Sequence, residues 1–182
     1  MILKKPIVLV GMMGSGKTAV GNALSKLLNV EHVDSDEEIV KAANMSIAEI
    51  FERDGEFFFR ERESEILNRI LDGKPKIIST GGGAFSSPLN RKLISQKGVS
   101  IWLNADLNLL WNRIKNNKTR PLLNVTNPFE VLKKLNSDRK SIYDMATICV
   151  EICEDYTIAM TSDVIIKKLL NNSYLERETN DF

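Results

Sequence analysis

The chain has 182 residues, 43% hydrophobic and 27% charged, which suits one globular domain with a substantial core and is too short for two ordinary ones. Its 25 Lys and Arg nearly balance 24 Asp and Glu, a net charge of +1, so no general case arises for nucleic acid or membrane partners, and any basic patch must be local and built for a small anion. No apolar run approaches the roughly 20 residues that span a bilayer, and no long apolar leader opens the chain, so the cytoplasm is the expected compartment.

The first predicted element is a buried strand over 7–10 (Ile7, Val8, Leu9, Val10). It breaks into Gly11-Met12-Met13-Gly14-Ser15-Gly16-Lys17-Thr18, which fits G-x-x-x-x-G-K-[ST] at every fixed position. Glycines let such a loop curl until successive N–H groups face one anion, and the helix expected from about Lys17 turns its positive end to the same point. Lys17 adds a full charge for the β- and γ-phosphates, and the Thr18 hydroxyl is a hard oxygen ligand for Mg²⁺. A glycine turn with a chance lysine is the bland alternative. The strand before it and the apolar stripe after it (Val20, Ala23, Leu24, Leu27, Leu28) argue against that. A nucleoside triphosphate site is expected.

A second short strand is expected over 30–33, with Asp34-Ser35-Asp36 at its carboxyl end, the edge of a parallel sheet where ligands bind. Ser35 or Asp36 could also cap a helix through Glu37, Glu38, Ile39 and Val40. His32, the one histidine, reads as an ordinary strand-end residue. Ser46-Ile47-Ala48-Glu49 fits a capping box and opens a helix to about Arg53, where Asp54-Gly55 breaks it. Helical spacing resumes over 56–71, carrying Arg60 and Arg62 among Glu61, Glu63 and Glu65. Such charge runs are usually a solvated face. Of the two arginines Arg60, preceded by three phenylalanines, is the one expected to turn inward.

A third strand over 76–80 ends in Gly81-Gly82-Gly83, costly in chain entropy and suited to close approach of backbone and ligand. No Asp ends this strand to help hold a metal, which leaves Asp34 as the available carboxylate. Ser87-Pro88 starts a helix that Gly98 stops. A fourth strand follows over 99–103 and a helix over 106–114. The polar, basic stretch 115–127 has the length of a lid and contains Arg120, a cation for a triphosphate. Asn127-Pro128 begins a helix to about Tyr143, with Arg139 near its end. The fifth strand covers 147–152 and a closing helix 158–170. Cys149 and Cys153, the only cysteines, match neither a redox pair nor a zinc set and read as two buried thiols. Residues 1–171 form one domain in this reading, with 172–182 a frayed tail.

Taken together, the phosphate loop, Asp34-x-Asp36, Phe59-Arg60 with Glu63, Gly81-Gly82-Gly83, Arg120-Pro121-Leu122-Leu123 and Arg139 ahead of Tyr143 resemble shikimate kinase. The resemblance runs to about Leu170 and implies transfer of the ATP γ-phosphoryl group to the 3-hydroxyl of shikimate, on the route to chorismate and the aromatic amino acids. It also implies a three-layer α/β/α fold of the P-loop type, with a five-stranded parallel sheet of order 2-3-1-4-5, acting as a monomer. Substrate-binding helices would lie at about 34–62 and the lid at about 115–127. By position, Lys17, Asp36 and Arg120 resemble the catalytic groups. Gly14, Ser15, Gly16, Lys17, Thr18, Ala19, Arg113, Arg120 and Tyr156 resemble the ATP site, with Arg113 stacking on adenine. Asp36, Arg60, Gly81, Gly82, Gly83 and Arg139 resemble the shikimate site, and Thr18 and, through water, Asp34 the Mg²⁺ site.

Elementary chemistry agrees, since a carboxylate bearing three hydroxyls needs cations at one end and an acceptor at the other. Two departures stand out. Ser141 occupies a place where the family often has Pro. The adenine-side loop around Glu154, Asp155 and Thr157 lacks the common basic residue, leaving Tyr156 as the candidate there. Another small-metabolite kinase, such as a gluconate kinase, would share the phosphate loop and lid but not the combined D-x-D, F-R and G-G-G set. A nucleotide-binding switch would carry an N-K-x-D-type guanine motif, which this sequence lacks. A non-catalytic paralogue would have lost catalytic positions that are all filled here.

Overall fold

The computed structural model describes residues 1–116 and 126–177. Its centre is β2 (Ile7–Val10), four apolar residues with no accessible surface, the continuous apolar run that parallel strands covered on both faces require. β4 (Ile77–Ser79) and β5 (Val99–Ala105) pair parallel on either side of it. β3 (His32–Asp34) and β6 (Ile148–Ile152) close the edges. The sheet order is β3-β4-β2-β5-β6. Counting only its five strands along the chain, that is 2-3-1-4-5.

The connections set the layers. From β2 the chain moves through α1 (Lys17–Leu28) two places one way to β3. From β4 it moves through α4 (Pro88–Lys97) two places the other way to β5. Right-handed crossovers running in opposite directions lie on opposite faces. α1 therefore packs with α7 (Ile158–Asn171) on one face, while α4 packs with α3 (Ile47–Ile70) on the other. α2 (Ser35–Ala43), α5 (Leu107–Ile114) and α6 (Pro128–Tyr143) complete the helices. Because the chain departs from β2 and β4 in opposite senses, a crevice opens beyond their carboxyl ends, where the phosphate loop and the glycine triplet emerge.

Local chemistry explains most boundaries. The Ser46 hydroxyl accepts from Glu49 N at 3.2 Å while the Glu49 carboxylate accepts from Ser46 N at 2.7 Å, the reciprocal box expected. α3 then bends at Gly55, whose φ of 80° is a left-handed angle a side chain would resist. The expected cap of α2 is corrected. Asp34, rather than Ser35 or Asp36, accepts from Asp36 N, at 3.0 Å.

Two further expectations fail. Residues 172–177 do not fray, because β7 (Leu175–Glu176) pairs antiparallel with β1 (Ile2–Leu3), burying Leu3 and Leu175. Lys4 N donates to Tyr174 O at 3.1 Å and Lys4 pairs with Glu176. Nor are both cysteines buried. Cys149 is half-buried in β6, but Cys153 lies just past the strand and is exposed.

Candidate active site

The phosphate loop is held open by its own lysine. Lys17 is 9% exposed and its Nζ donates to Gly11 O and Met12 O, 2.9 Å each, bridging the loop from below. Gly14 (φ 82°) could not carry a side chain, for a Cβ there would lie 2.7 Å from Ile114 Cγ2. The buried Ser15 Oγ has no hydrogen-bond partner, an orphaned polar atom lining a cradle of backbone donors. Such a cradle fits a triphosphate. At the second residue of α1, Thr18 Oγ1 donates to Asp34 Oδ2 at 2.9 Å. Two hard oxygens at the mouth of a phosphate cradle are a donor set suited to Mg²⁺.

Behind the loop Arg113 Nη1 donates to Gly14 O at 3.2 Å. A pocket of 270 Å³ opens beside it, lined by Gly14, Gly16, Ala19, Arg113, Tyr156 and Ile158. The predicted adenine-side residues thus share one cavity. Arg120 lies outside the described residues, as does most of the expected lid.

Across the crevice the glycine triplet serves several partners. A Cβ on Gly81 would lie 2.6 Å from Asp36 Oδ1, and one on Gly83 2.7 Å from Arg60 Nη2. One on Gly82 would approach Met13 N at 3.3 Å. The close approach read from the sequence is therefore realised first by the protein's own side chains. The triplet brings Asp36 and Arg60 against the backbone and seats that backbone on the phosphate loop.

Arg60 points inward, as expected. Its Nη1 donates to Glu63 Oε2 at 3.0 Å, and its Nε and Nη2 reach Glu56. Its guanidinium also sits 5.1 Å from the buried Phe59 ring. Arg62 turns the other way, to Phe58 and Glu65. Glu63 is 1% exposed. Burial pushes its carboxyl up, Arg60 pulls it down, and Asp36 nearby raises it further. Its Oε1 is buried without a hydrogen-bond partner. On the remaining side Arg139 Nη1 donates to Gly82 O at 3.0 Å. Of the predicted site residues that are described, Asp36, Arg60, Gly81–Gly83 and Arg139 gather on one wall of the crevice. Lys17, Thr18 and Asp34 gather on the other.

Sequence reasoning treated two residues too lightly. Glu63 stands in a charge run and in the Phe59-Arg60 motif with no role of its own, and only the fold makes it the buried member. Tyr143 entered only as a neighbour of Arg139, although its hydroxyl reaches the same Gly82 carbonyl, at 2.5 Å.

A sequence model of the shikimate kinase family matches residues 13–171. The chain is 57% identical over 149 residues to the shikimate kinase of Cereibacter sphaeroides, covering 82% of this chain and 75% of that protein. It is 52% identical over 167 residues to that of Ruegeria pomeroyi, covering 92% and 86%. Among solved structures, shikimate kinase from Acinetobacter baumannii in complex with shikimate superposes with a TM-score of 0.85 at 37% identity, over 92% of this chain and 94% of that one.

Proposed function

Since the chain belongs to the shikimate kinase family, a phosphotransferase that moves the ATP γ-phosphoryl group to the 3-hydroxyl of shikimate, we propose which of its residues perform that transfer. The observation that carries the assignment is the pair of walls. A cradle of N–H donors with Lys17 faces a carboxylate, Asp36, and two guanidiniums, Arg60 and Arg139, gathered on the glycine triplet.

In this reading Gly14, Ser15, Gly16, Lys17, Thr18 and Ala19 hold the polyphosphate of ATP, and Arg113 and Tyr156 bracket its base. Lys17 exchanges its two loop carbonyls for the β- and γ-phosphate oxygens. Thr18 and Asp34 hold Mg²⁺, which when bound neutralises charge on the triphosphate. Arg60 and Arg139 grip the shikimate carboxylate through paired N–H donors, with the Gly81–Gly83 backbone beneath the ring. Asp36 accepts from the 3-hydroxyl and aims its oxygen at the γ-phosphorus. Its main work is alignment, since a loose transition state calls for little early deprotonation. Arg120 brings a further cation from the lid.

Residues 34–62 would be the acceptor-binding part and 115–127 the lid. The enzyme would work as a monomer in the cytoplasm. The test is a coupled ATP-consumption assay over a panel of hydroxy acids and sugar acids. Shikimate should support turnover and gluconate should not. Asp36→Asn should lower kcat by at least about a hundredfold while leaving ATP binding nearly intact. An unchanged kcat would remove Asp36 from the mechanism.

A further inference from the structure

The turn that follows β4 has its carbonyls pinned one after another. Gly81 O accepts from Ala84 N, and Gly83 O from Ser86 N. Ala84 O accepts from the buried Asn90 Nδ2 at 2.9 Å, while Phe85 O and Ser86 O accept from Arg91 Nη1 at 2.8 Å. Gly82 O is engaged twice, by Arg139 Nη1 at 3.0 Å and Tyr143 Oη at 2.5 Å. Among the described residues the N–H groups of Gly82 and Gly83 have no protein acceptor.

A trans peptide holds N–H opposite C=O in one plane. Fixing the Gly81 and Gly82 carbonyls on the protein side therefore turns the next two N–H groups the other way, as a pair of donors for an anion. Tyr143 is built for that task. It ends α6 at 1% exposure, with its ring between those of Phe85 at 6.4 Å and Trp102 at 5.8 Å. Its hydroxyl also lies 3.9 Å from Met12 Sδ, in the phosphate loop. Burial pushes the phenol up to about 12 against the pull of Arg139, so it keeps the proton it donates.

We propose that Tyr143 is a positioning residue for the acceptor's carboxylate. Its hydroxyl fixes the Gly82 carbonyl, and through that carbonyl the Gly83 N–H and the Arg139 guanidinium, in the geometry that receives the acid. It touches no substrate itself. The inference rests on the assignment of Arg139 and Gly82 to shikimate made above.

Tyr143→Phe removes one oxygen, keeps the packed ring, and leaves Arg139 on the Gly82 carbonyl. Shikimate KM should rise about three- to tenfold, the size of one lost hydrogen bond, with ATP KM within about twofold. Replacing Tyr143 with 4-aminophenylalanine restores a donor on the same ring and should bring shikimate KM back towards wild type. An unchanged shikimate KM in the Phe variant overturns the inference, and so does a parallel rise of both KM values, the mark of a general packing defect. So does an amino variant that matches the Phe variant. A wild-type chain unable to phosphorylate shikimate would instead overturn the parent assignment. An active wild type with an indifferent Phe variant sinks only the role of Tyr143.

Discussion

Gly83→Ala separates what the glycine triplet does for the fold from what it does for the site. Gly83 has φ −97° and ψ −15°, an ordinary right-handed conformation that alanine adopts without strain. By restricting the unfolded chain the substitution should stabilise by about 0.4–1 kcal/mol, or raise Tm by roughly 1–4 °C in a chain of this length. The new methyl, however, would stand 2.7 Å from Arg60 Nη2 and 2.8 Å from Nη1. Ordinary contact is about 3.5 Å, so the guanidinium must retreat by about 0.8 Å. Being the end of a flexible side chain, it can do so without disturbing the backbone. Its 3.0 Å bond to Glu63 stretches or breaks in the process. Misplacing a binding group by about an ångström can cost up to about a hundredfold. Shikimate KM should therefore rise ten- to a hundredfold, with ATP KM unchanged and Tm equal or higher. Steady-state kinetics in each substrate and a thermal melt check both halves. A shikimate KM within about twofold of wild type would refute the role given to Arg60, and a marked fall in Tm would refute the claim that only a side chain yields.

Three other outcomes are expected. Asp34→Asn keeps an acceptor for Asp36 N but removes the charge beside Thr18. It should raise the Mg²⁺ concentration for half-maximal rate about 10- to 100-fold with little change in Tm, and an unaltered Mg²⁺ titration would count against this site. Burial holds His32 below its ordinary value of 6.5, outweighing Asp34 and Glu37. Its folded value is thus below its unfolded one, so its contribution to stability is complete above about pH 6.5 and is lost as pH falls through the folded value. His32→Gln should flatten the fall in Tm between about pH 7 and pH 5, and parallel curves would exclude His32 as the titrating group. Leu175→Ala should cost about 2–3 kcal/mol in urea denaturation with kcat preserved, whereas a neutral variant would show that the β1–β7 ribbon adds nothing to stability.

What the sequence made legible was whatever depends on neighbours along the chain. The phosphate loop, the Ser46–Glu49 box, the break at Gly55 and the inward choice of Arg60 over Arg62 all rest on contacts within a few residues. The rest rests on distant pairings. The acceptor for Tyr143 is 61 positions away in the chain, and no local spacing marks it. The triplet announced close approach, but only the fold shows that Gly81 admits Asp36 and Gly83 admits Arg60. Glu63 carries the motif with Phe59-Arg60, but nothing local marks it as buried. Charge runs on helices are mostly solvated, and here one glutamate is turned under the helix by its bond to Arg60. Two-residue strands such as β1 and β7 are too short to leave an alternating pattern, so the tail read as loose. Asp34 serves two neighbours at once, one carboxylate oxygen capping α2 and the other meeting Thr18, which composition alone could not reveal.

The pairing of Ile2 with Glu176 sets the first and last strands among the described residues side by side. A connector could fuse them, and the ring so formed could be reopened at Gly73, an exposed position where an added Cβ would meet no atom beyond its chain neighbours within 4 Å. That cut severs no strand and spares both walls of the crevice. A circularly permuted chain starting there would keep its central strand in mid-chain, with the phosphate loop and the glycine triplet uncut.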